Sequence, residues 1–179
     1  MQDIVRVNHN EYRIVKLLGH GKGGYSYLAE KDGRQYVFKQ IHHEPCDYYT
    51  FGNKIESENN DYFRLKETGI RMPEMLDIDI QHERIIKEYI EGPSIYELVR
   101  DGGMKEAYIS QMREMAKVVY AAGLNIDYFP TNFIVKDELI YYIDYECNTY
   151  LDEWNFENWG IKYWSRTQEF LDYLKEHSN

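Results

Sequence analysis

Four glycines fall within the six residues Gly19–Gly24, and they stand between two runs of strand-forming side chains, Tyr12–Leu18 and Tyr25–Glu30. This placement constrains the fold more than any other feature. A G-x-G-x-x-G turn that opens a helix marks a dinucleotide-binding unit, whereas one that joins two strands closes a hairpin. A second hairpin signal follows at once. Lys31-Asp32-Gly33 separates Tyr25–Glu30 from Gln35–Ile41, and Asp-Gly adopts the positive backbone angles of tight two-residue turns. Val5–Val7 and the polar turn Asn8-His9-Asn10 complete the pattern. The opening of the chain therefore predicts an antiparallel sheet.

Helical periodicity takes over further on. Asn53–Thr68 predicts a helix with Ile55, Tyr62, Phe63 and Leu65 on its apolar side, ended by Gly69 where a left-handed residue stops a helix. Residues 42–51 read as a loop broken by Pro45. Two more strands are expected over Glu74–Ile80 and Arg84–Ile90, and Gly92-Pro93 marks a joint. Ser94 with Glu97 forms a capping-box pattern for a short helix that Gly102-Gly103 ends. Met104–Ala122 is the clearest helix: Tyr108, Met112, Met115, Ala116 and Val119 share one face, and Gly123 closes it. Phe133–Val135 and Leu139–Ile143 predict a hairpin. Ser165 with Gln168 predicts a capped last helix reaching Leu174, with Phe170, Leu171 and Leu174 inward. Trp154, Trp159 and Trp164 are expected to pack in the core. Strands, helix, strands, helices, hairpin and helix in that order make an α+β chain, mostly β over 1–91 and mostly α over 92–179.

With 179 residues, 43% of them hydrophobic, the chain can fill one domain or two small lobes. No apolar run approaches the ~20 residues that cross a bilayer, and Met1–Arg6 lacks a secretion signal. A cytoplasmic protein without a membrane span is expected. A net charge of −10 argues against a nucleic-acid partner. The charge is uneven: 13 basic and 16 acidic side chains over 1–91 give −3, while 8 and 15 over 92–179 give −7. Cys46 and Cys147 have no metal-like spacing and read as free thiols. Cys147 follows directly on the stretch described next. His42 and His43, beside Pro45, read as surface histidines.

The chemistry concentrates in residues 125–146. Asp127 and Asn132 form a D-x-x-x-x-N frame, and the hairpin then delivers Asp144 in Ile-Asp-Tyr-Glu. Phosphoryl transfer from Mg-ATP takes a carboxylate beside the acceptor hydroxyl, with an amide and a second carboxylate on the metal. Those groups occur here in that order. Upstream, four glycines exceed what a hairpin requires. Glycine lets backbone amides approach phosphate oxygens without an intervening Cβ, so Gly19, Gly21 and Gly24 read as phosphate cover, assisted by Lys22. Lys39, in the strand Tyr-Val-Phe-Lys-Gln-Ile, reaches the α/β-phosphates if a carboxylate holds it. Glu58 on the following helix is the choice for that carboxylate, with Glu56 as its rival.

Together these parts resemble the protein-kinase-like superfamily over residues 11–146. The resemblance implies a glycine-rich loop at Gly19, Gly21 and Gly24 and an ion pair of Lys39 with Glu58. It implies a hinge at Ile86–Gly92, with Glu88 and Ile90 offering backbone to adenine. Asp127 becomes the catalytic aspartate, and Asn132 and Asp144 the Mg²⁺ ligands. It further implies a two-lobed single domain over 1–179, with 1–91 as first lobe and 92–179 as a truncated second lobe. The cofactors are then ATP and Mg²⁺, and the partners a nucleotide and a hydroxyl-bearing acceptor.

The departures narrow the resemblance. Asn125-Ile126 stands where the superfamily has His-Arg, so no arginine is placed to receive a phosphorylated activation loop. Asp144-Tyr145-Glu146 replaces Asp-Phe-Gly and resembles the Asp-x-Glu turn of aminoglycoside, choline and lipopolysaccharide kinases. Pro130 before Thr131-Asn132 resembles that group and the Rio-type and lipopolysaccharide-kinase-like families, and the spacing from Glu58 to Gly69 and Pro73 resembles the small, atypical Rio-type and piD261-like kinases. Only 33 residues follow Glu146, and no Ala-Pro-Glu is among them. The expectation is an atypical serine/threonine protein kinase. A small-molecule kinase and a nucleotide-binding pseudokinase acting as a regulatory partner are the alternatives.

Overall fold

The computed structural model describes residues 3–21, 23–43 and 53–177. The chain divides into two compact units, Met1–Asn60 with Pro73–Tyr89, and Asp61–Met72 with Ile90–Asn179. The class is α+β, as the alternation of patterns predicts.

The first unit is built on one antiparallel sheet. Its strands are β1 (Ile4–Val7), β2 (Asn10–His20), β3 (Gly24–Lys31), β4 (Arg34–Ile41), β5 (Met75–Asp79) and β6 (Arg84–Glu88), in the order β1-β2-β3-β4-β6-β5. Asp32 and Gly33, at φ of 52° and 77°, make the tight turn that the Asp-Gly pair predicts. Strand β2 runs further than expected and draws the start of the glycine run into the sheet, pairing Gly19 with Ser26 and His20 with Tyr25. Strand alternation sorts β6 between two faces. Ile86 packs with Val7, Tyr12, Ala29 and Phe38, while Ile85 packs with Ile41 and with Ile55 of α1 (Lys54–Thr68). Phe63 is 53% exposed and does not join the apolar side of α1, which is narrower than the sequence predicts.

The second unit is mostly helical. In α2 (Ile95–Asp101) the capping box forms in full: Glu97 N–H donates to Ser94 Oγ at 3.0 Å and Ser94 N–H to Glu97 Oε1 at 3.2 Å. Helix α3 (Glu106–Ala121) begins later than predicted, since Lys105 is still extended. Its buried face is the predicted one, Tyr108, Met112, Met115, Ala116 and Val119. Two short strands, β7 (Leu124–Ile126) and β10 (Cys147–Thr149), pair antiparallel. Neither is long enough to display an alternating pattern, so neither is visible in the sequence. Between them, β8 (Phe133–Lys136) and β9 (Leu139–Tyr142) form the expected hairpin through Asp137 and Glu138, both at positive φ. The last helix, α4 (Gln168–His177), is capped by Thr167 rather than Ser165: Thr167 Oγ1 accepts from Phe170 N–H at 3.1 Å. Phe170 is buried, with Leu171 and Leu174 half-buried against the same core. Of the tryptophans only Trp164 is fully buried, its Nε1 donating to Tyr128 O at 2.7 Å. Trp154 is 51% exposed, which corrects the expectation of a core residue.

Candidate active site

In the first unit, the glycine run and Lys39 come together. Gly21 and Gly23 form the turn between β2 and β3, with Gly21 N–H donating to Gly24 O at 3.0 Å. A Cβ on Gly24 would lie 2.5 Å from Gln40 O and 3.2 Å from Lys39 Cε, and one on Gly23 would lie 3.9 Å from Lys39 Nζ. Glycine at 24 is therefore required for β3 to lie this close to β4. Lys22 lies outside the described residues. Lys39 forms an ion pair with Glu58, and both side chains are largely buried at 12% and 13% exposure. Glu56 is exposed, so of the two rival carboxylates it is Glu58 that meets Lys39. The second oxygen of Glu58, Oε2, is buried and has no hydrogen-bond partner among the described residues. Glu88 closes β6, where its N–H donates to Glu74 O at 2.9 Å.

His42 is a feature that sequence reasoning passed over. It is half-buried rather than a surface histidine. Its backbone N–H donates to Gly23 O at 3.1 Å, and its ring Nε2 lies 2.7 Å from Gly21 O. A carbonyl can only accept, so Nε2 carries the proton in this contact. Lys54 Nζ in turn donates to His42 O. The carbonyls of Gly21 and Gly23 are thus both held by His42, the residue that follows β4. His43 is exposed and contacts the Glu83 carboxylate at 2.8 Å. Cys46 lies outside the described residues.

In the second unit, Asp127, Asn132 and Asp144 are linked through backbone and hydroxyl. Asp127 follows β7, and its Oδ1 accepts from Phe129 N–H at 3.1 Å. Pro130–Asn132 make one turn of 3₁₀-helix that hands the chain to β8. Asn132 Nδ2 donates to Asp127 O at 3.3 Å, which leaves Oδ1 as the oxygen that side chain offers. Asn132 O accepts from Ile143 N–H at 2.9 Å, so the residue before Asp144 is tied to Asn132. Asp144 Oδ1 accepts from Tyr145 N–H at 2.7 Å. Tyr145 is fully buried against Tyr62 of α1, ring centroids 4.7 Å apart. At the joint, a Cβ on Gly92 would come within 2.0 Å of Val135 O, so only glycine admits this approach to β8. Ile90 beside it is buried.

The hydroxyl of Tyr142 lies among these loops. It accepts from Asp127 N–H at 3.2 Å and donates to Glu146 O at 2.8 Å. Burial, reinforced by the Asp144, Asp127 and Glu146 carboxylates, holds its pKa well above the ordinary tyrosine value, so it stays protonated. The signal for it was in the sequence. Ile140 and Tyr142 share the inward face of β9, and a buried tyrosine hydroxyl needs a partner. Asn125 is also buried. It donates to Leu151 O at 2.9 Å and accepts from Tyr128 Oη at 3.3 Å. Cys147 is buried beside Asp61, and burial pushes its thiol up to about 12.

The donor set fits a hard cation that brings its own phosphate ligands. One carboxylate and one amide oxygen are about what Mg²⁺ takes from protein when phosphates supply the rest. Among the described residues no cluster of three or more His, Cys, Asp or Glu side chains is arranged to hold a metal unaided.

No known protein-family model matches the chain. Over 86 residues it is 30% identical to the KEOPS complex subunit Bud32 of Pyrococcus abyssi (strain GE5 / Orsay). The match covers 46% of this chain and 39% of that protein, less than half of either. This likeness supports a protein-kinase-like relationship. No helix among the described residues is long and apolar enough to cross a membrane.

Proposed function

We propose that the protein is an atypical kinase that moves the γ-phosphoryl group of Mg-ATP to a hydroxyl acceptor, a serine or threonine of a protein. The observation that carries this reading is the ion pair of Lys39 with Glu58 against the glycine turn. A buried cation held by a carboxylate beside a tight glycine backbone is a means of gripping phosphate. The Asp127–Asn132–Asp144 linkage in the second unit adds to it. The likeness to Bud32 supports the kinase-type assignment.

In this reading 1–91 and 92–179 act as the two lobes of one kinase domain, working in the cytoplasm. The glycine turn covers the phosphates, with Lys22 assisting, and Lys39 aligns the α/β-phosphates while Glu58 orients it. Backbone at Glu88 and Ile90 receives adenine. Asp127 orients the acceptor hydroxyl and takes its proton. Asn132 and Asp144 would hold Mg²⁺, which when bound offsets the charge on the transferring phosphate oxygens.

The test is transfer of labelled phosphate from ATP, by the protein to itself or to a mixture of basic and acidic peptides. Asp144→Ala is the control, and Mg-ATP-dependent thermal stabilisation is measured in parallel. Transfer that survives in Asp144→Ala rejects the assignment. Stabilisation by Mg-ATP without any transfer favours a second reading, a nucleotide-binding subunit of a larger complex. The likeness to a protein named as a complex subunit favours that alternative. Transfer to a sugar or aminoglycoside but to no peptide would make the protein a small-molecule kinase.

A further inference from the structure

We infer that Tyr142 is a positioning residue: its hydroxyl sets the spacing between the loop that carries Asp127 and the loop that carries Asp144. The inference rests on the kinase reading above. A tyrosine hydroxyl has one proton and accepts through oxygen. Asp127 N–H can only donate and Glu146 O can only accept, so the direction of the chain Asp127 N–H to Tyr142 Oη to Glu146 O is forced. One side chain therefore bridges the residue proposed to orient the acceptor and the turn that follows the proposed metal ligand. Neighbouring Ile143 makes a parallel tie, donating to Asn132 O at 2.9 Å. Tyr142, which ends β9, and Ile143 just after it thus bind Asp127, Asn132 and Glu146, and Asp144 is the next residue along.

The ring is held independently of the hydroxyl. Tyr142 is fully buried, and its ring lies 5.2 Å from that of Phe133 across the β8–β9 hairpin. Tyr142→Phe keeps this packing and removes only the bridging oxygen. Without it the Asp127 and Asp144 loops keep the Asn132–Ile143 tie and the flanking β7–β10 pairing of Ile126 with Cys147, but lose the hydroxyl bridge that links Asp127 N–H to Glu146 O, and their separation is less closely fixed. Small displacements of catalytic groups carry large rate penalties. The grip on ATP proposed for Lys39, Glu58 and the glycine turn belongs to the other unit and is left intact.

The experiment compares wild type, Tyr142→Phe and Asp144→Ala, measured below the melting point of the weakest variant. In Tyr142→Phe, kcat is expected to fall, and the Mg²⁺ concentration for half-maximal rate to rise, each by about ten- to a hundred-fold, the usual cost of losing a group that orients a metal ligand. The KM for ATP at saturating Mg²⁺ should stay within about two-fold, since uniform binding is untouched. The Mg²⁺ midpoint of ATP-induced thermal stabilisation reports the same comparison without turnover, and it should shift in the same direction. Wild-type kcat and wild-type Mg²⁺ midpoint in Tyr142→Phe, even with a lowered melting temperature, overturn the inference and leave the kinase reading standing on Asp144→Ala. A wild-type protein that neither transfers phosphate nor responds to Mg-ATP overturns the kinase reading, and this inference with it.

Discussion

In the first unit the groups proposed to grip phosphate are tied down by charged side chains: Lys39 pairs with Glu58, and Lys54 reaches the His42 carbonyl. Nearby, His43 meets Glu83, and His82 meets Asp79. In the second unit neutral groups make several of the ties. Tyr142 bridges Asp127 and Glu146, Asn125 is held between Leu151 and Tyr128, and Trp164 donates to Tyr128 O. In that unit the Lys105–Glu138 and Lys117–Glu114 ion pairs are solvent-exposed, where such pairs contribute little, while Arg64–Asp61 has a less exposed carboxylate. The difference has a physical lesson. A charged tie fails when its partner is removed or protonated, because desolvated charge is left behind. A neutral tie inside an aromatic core answers to packing and is indifferent to pH over the ordinary range.

The largest expected effect is in the second unit. Asp144→Ala should lower kcat by at least ~10²–10³, the scale for removing one preorganised electrostatic contact to the transition state. The Asp144 contact with the Tyr145 N–H is local, so the fold should survive; loss of the folded state together with activity would break the comparison. In the first unit the opposite balance is expected. Lys39→Met leaves the Glu58 carboxylate largely buried without its cation. It should cost about 3 kcal/mol of stability as well as ATP binding. The double variant Lys39→Met/Glu58→Leu should recover part of that stability and none of the binding, measured by chemical denaturation and thermal shift. A single variant as stable as wild type would mean the pair is not a desolvated one.

The contrast between units also explains what was legible in the sequence. The six strands of the first unit, the α2 capping box and the buried face of α3 follow from turn chemistry and periodicity, both local. So does the choice of Lys39, an isolated cation in an apolar strand. The His42 clasp was not legible, because it depends on β4 ending opposite the glycine turn, a matter of register. Strands β7 and β10 are three residues each and pair across twenty residues of chain, so no local pattern marks them. Trp154 departs from expectation because size argues for burial, but its one-turn 3₁₀-helix, Asp152–Trp154, has no buried residue. The roles proposed for Asp127, Asn132 and Asp144 rest on order and spacing; the structure adds that Asn132 donates to Asp127 O and accepts from the N–H of Ile143, the residue before Asp144.

A smaller effect is expected at His42. His42→Ala removes the ring contact to Gly21 O while the backbone contact to Gly23 O persists. One hydrogen bond of this kind is worth about 1 kcal/mol, so the KM for ATP should rise about five-fold with kcat nearly unchanged. A larger fall in kcat than rise in KM would place His42 nearer the chemistry than a loop clasp.

The smallest effect separates the units by pH. Asp79 Oδ2 accepts from Asn8 N–H at 3.0 Å, and Oδ1 accepts from His82 N–H at 3.1 Å. The Asn8 amide, more than the His82 contacts, holds its carboxyl below the usual aspartate value. A carboxyl depressed in the folded state stabilises fully above its unfolded pKa of about 3.9, and that stabilisation is lost as pH falls through the lower folded value. Asp79→Asn, which keeps the shape and loses the charge, should therefore cost about 0.5–1.5 kcal/mol at pH 7, and the gap to wild type should narrow as the pH is lowered toward 3. The stability difference between wild type and Tyr142→Phe should be flat across the same range, because the tyrosine is neutral throughout. Urea midpoints at a series of pH values measure both. A flat Asp79→Asn gap, or a Tyr142→Phe gap that closes in acid, would show that charge does not divide the two units in this way.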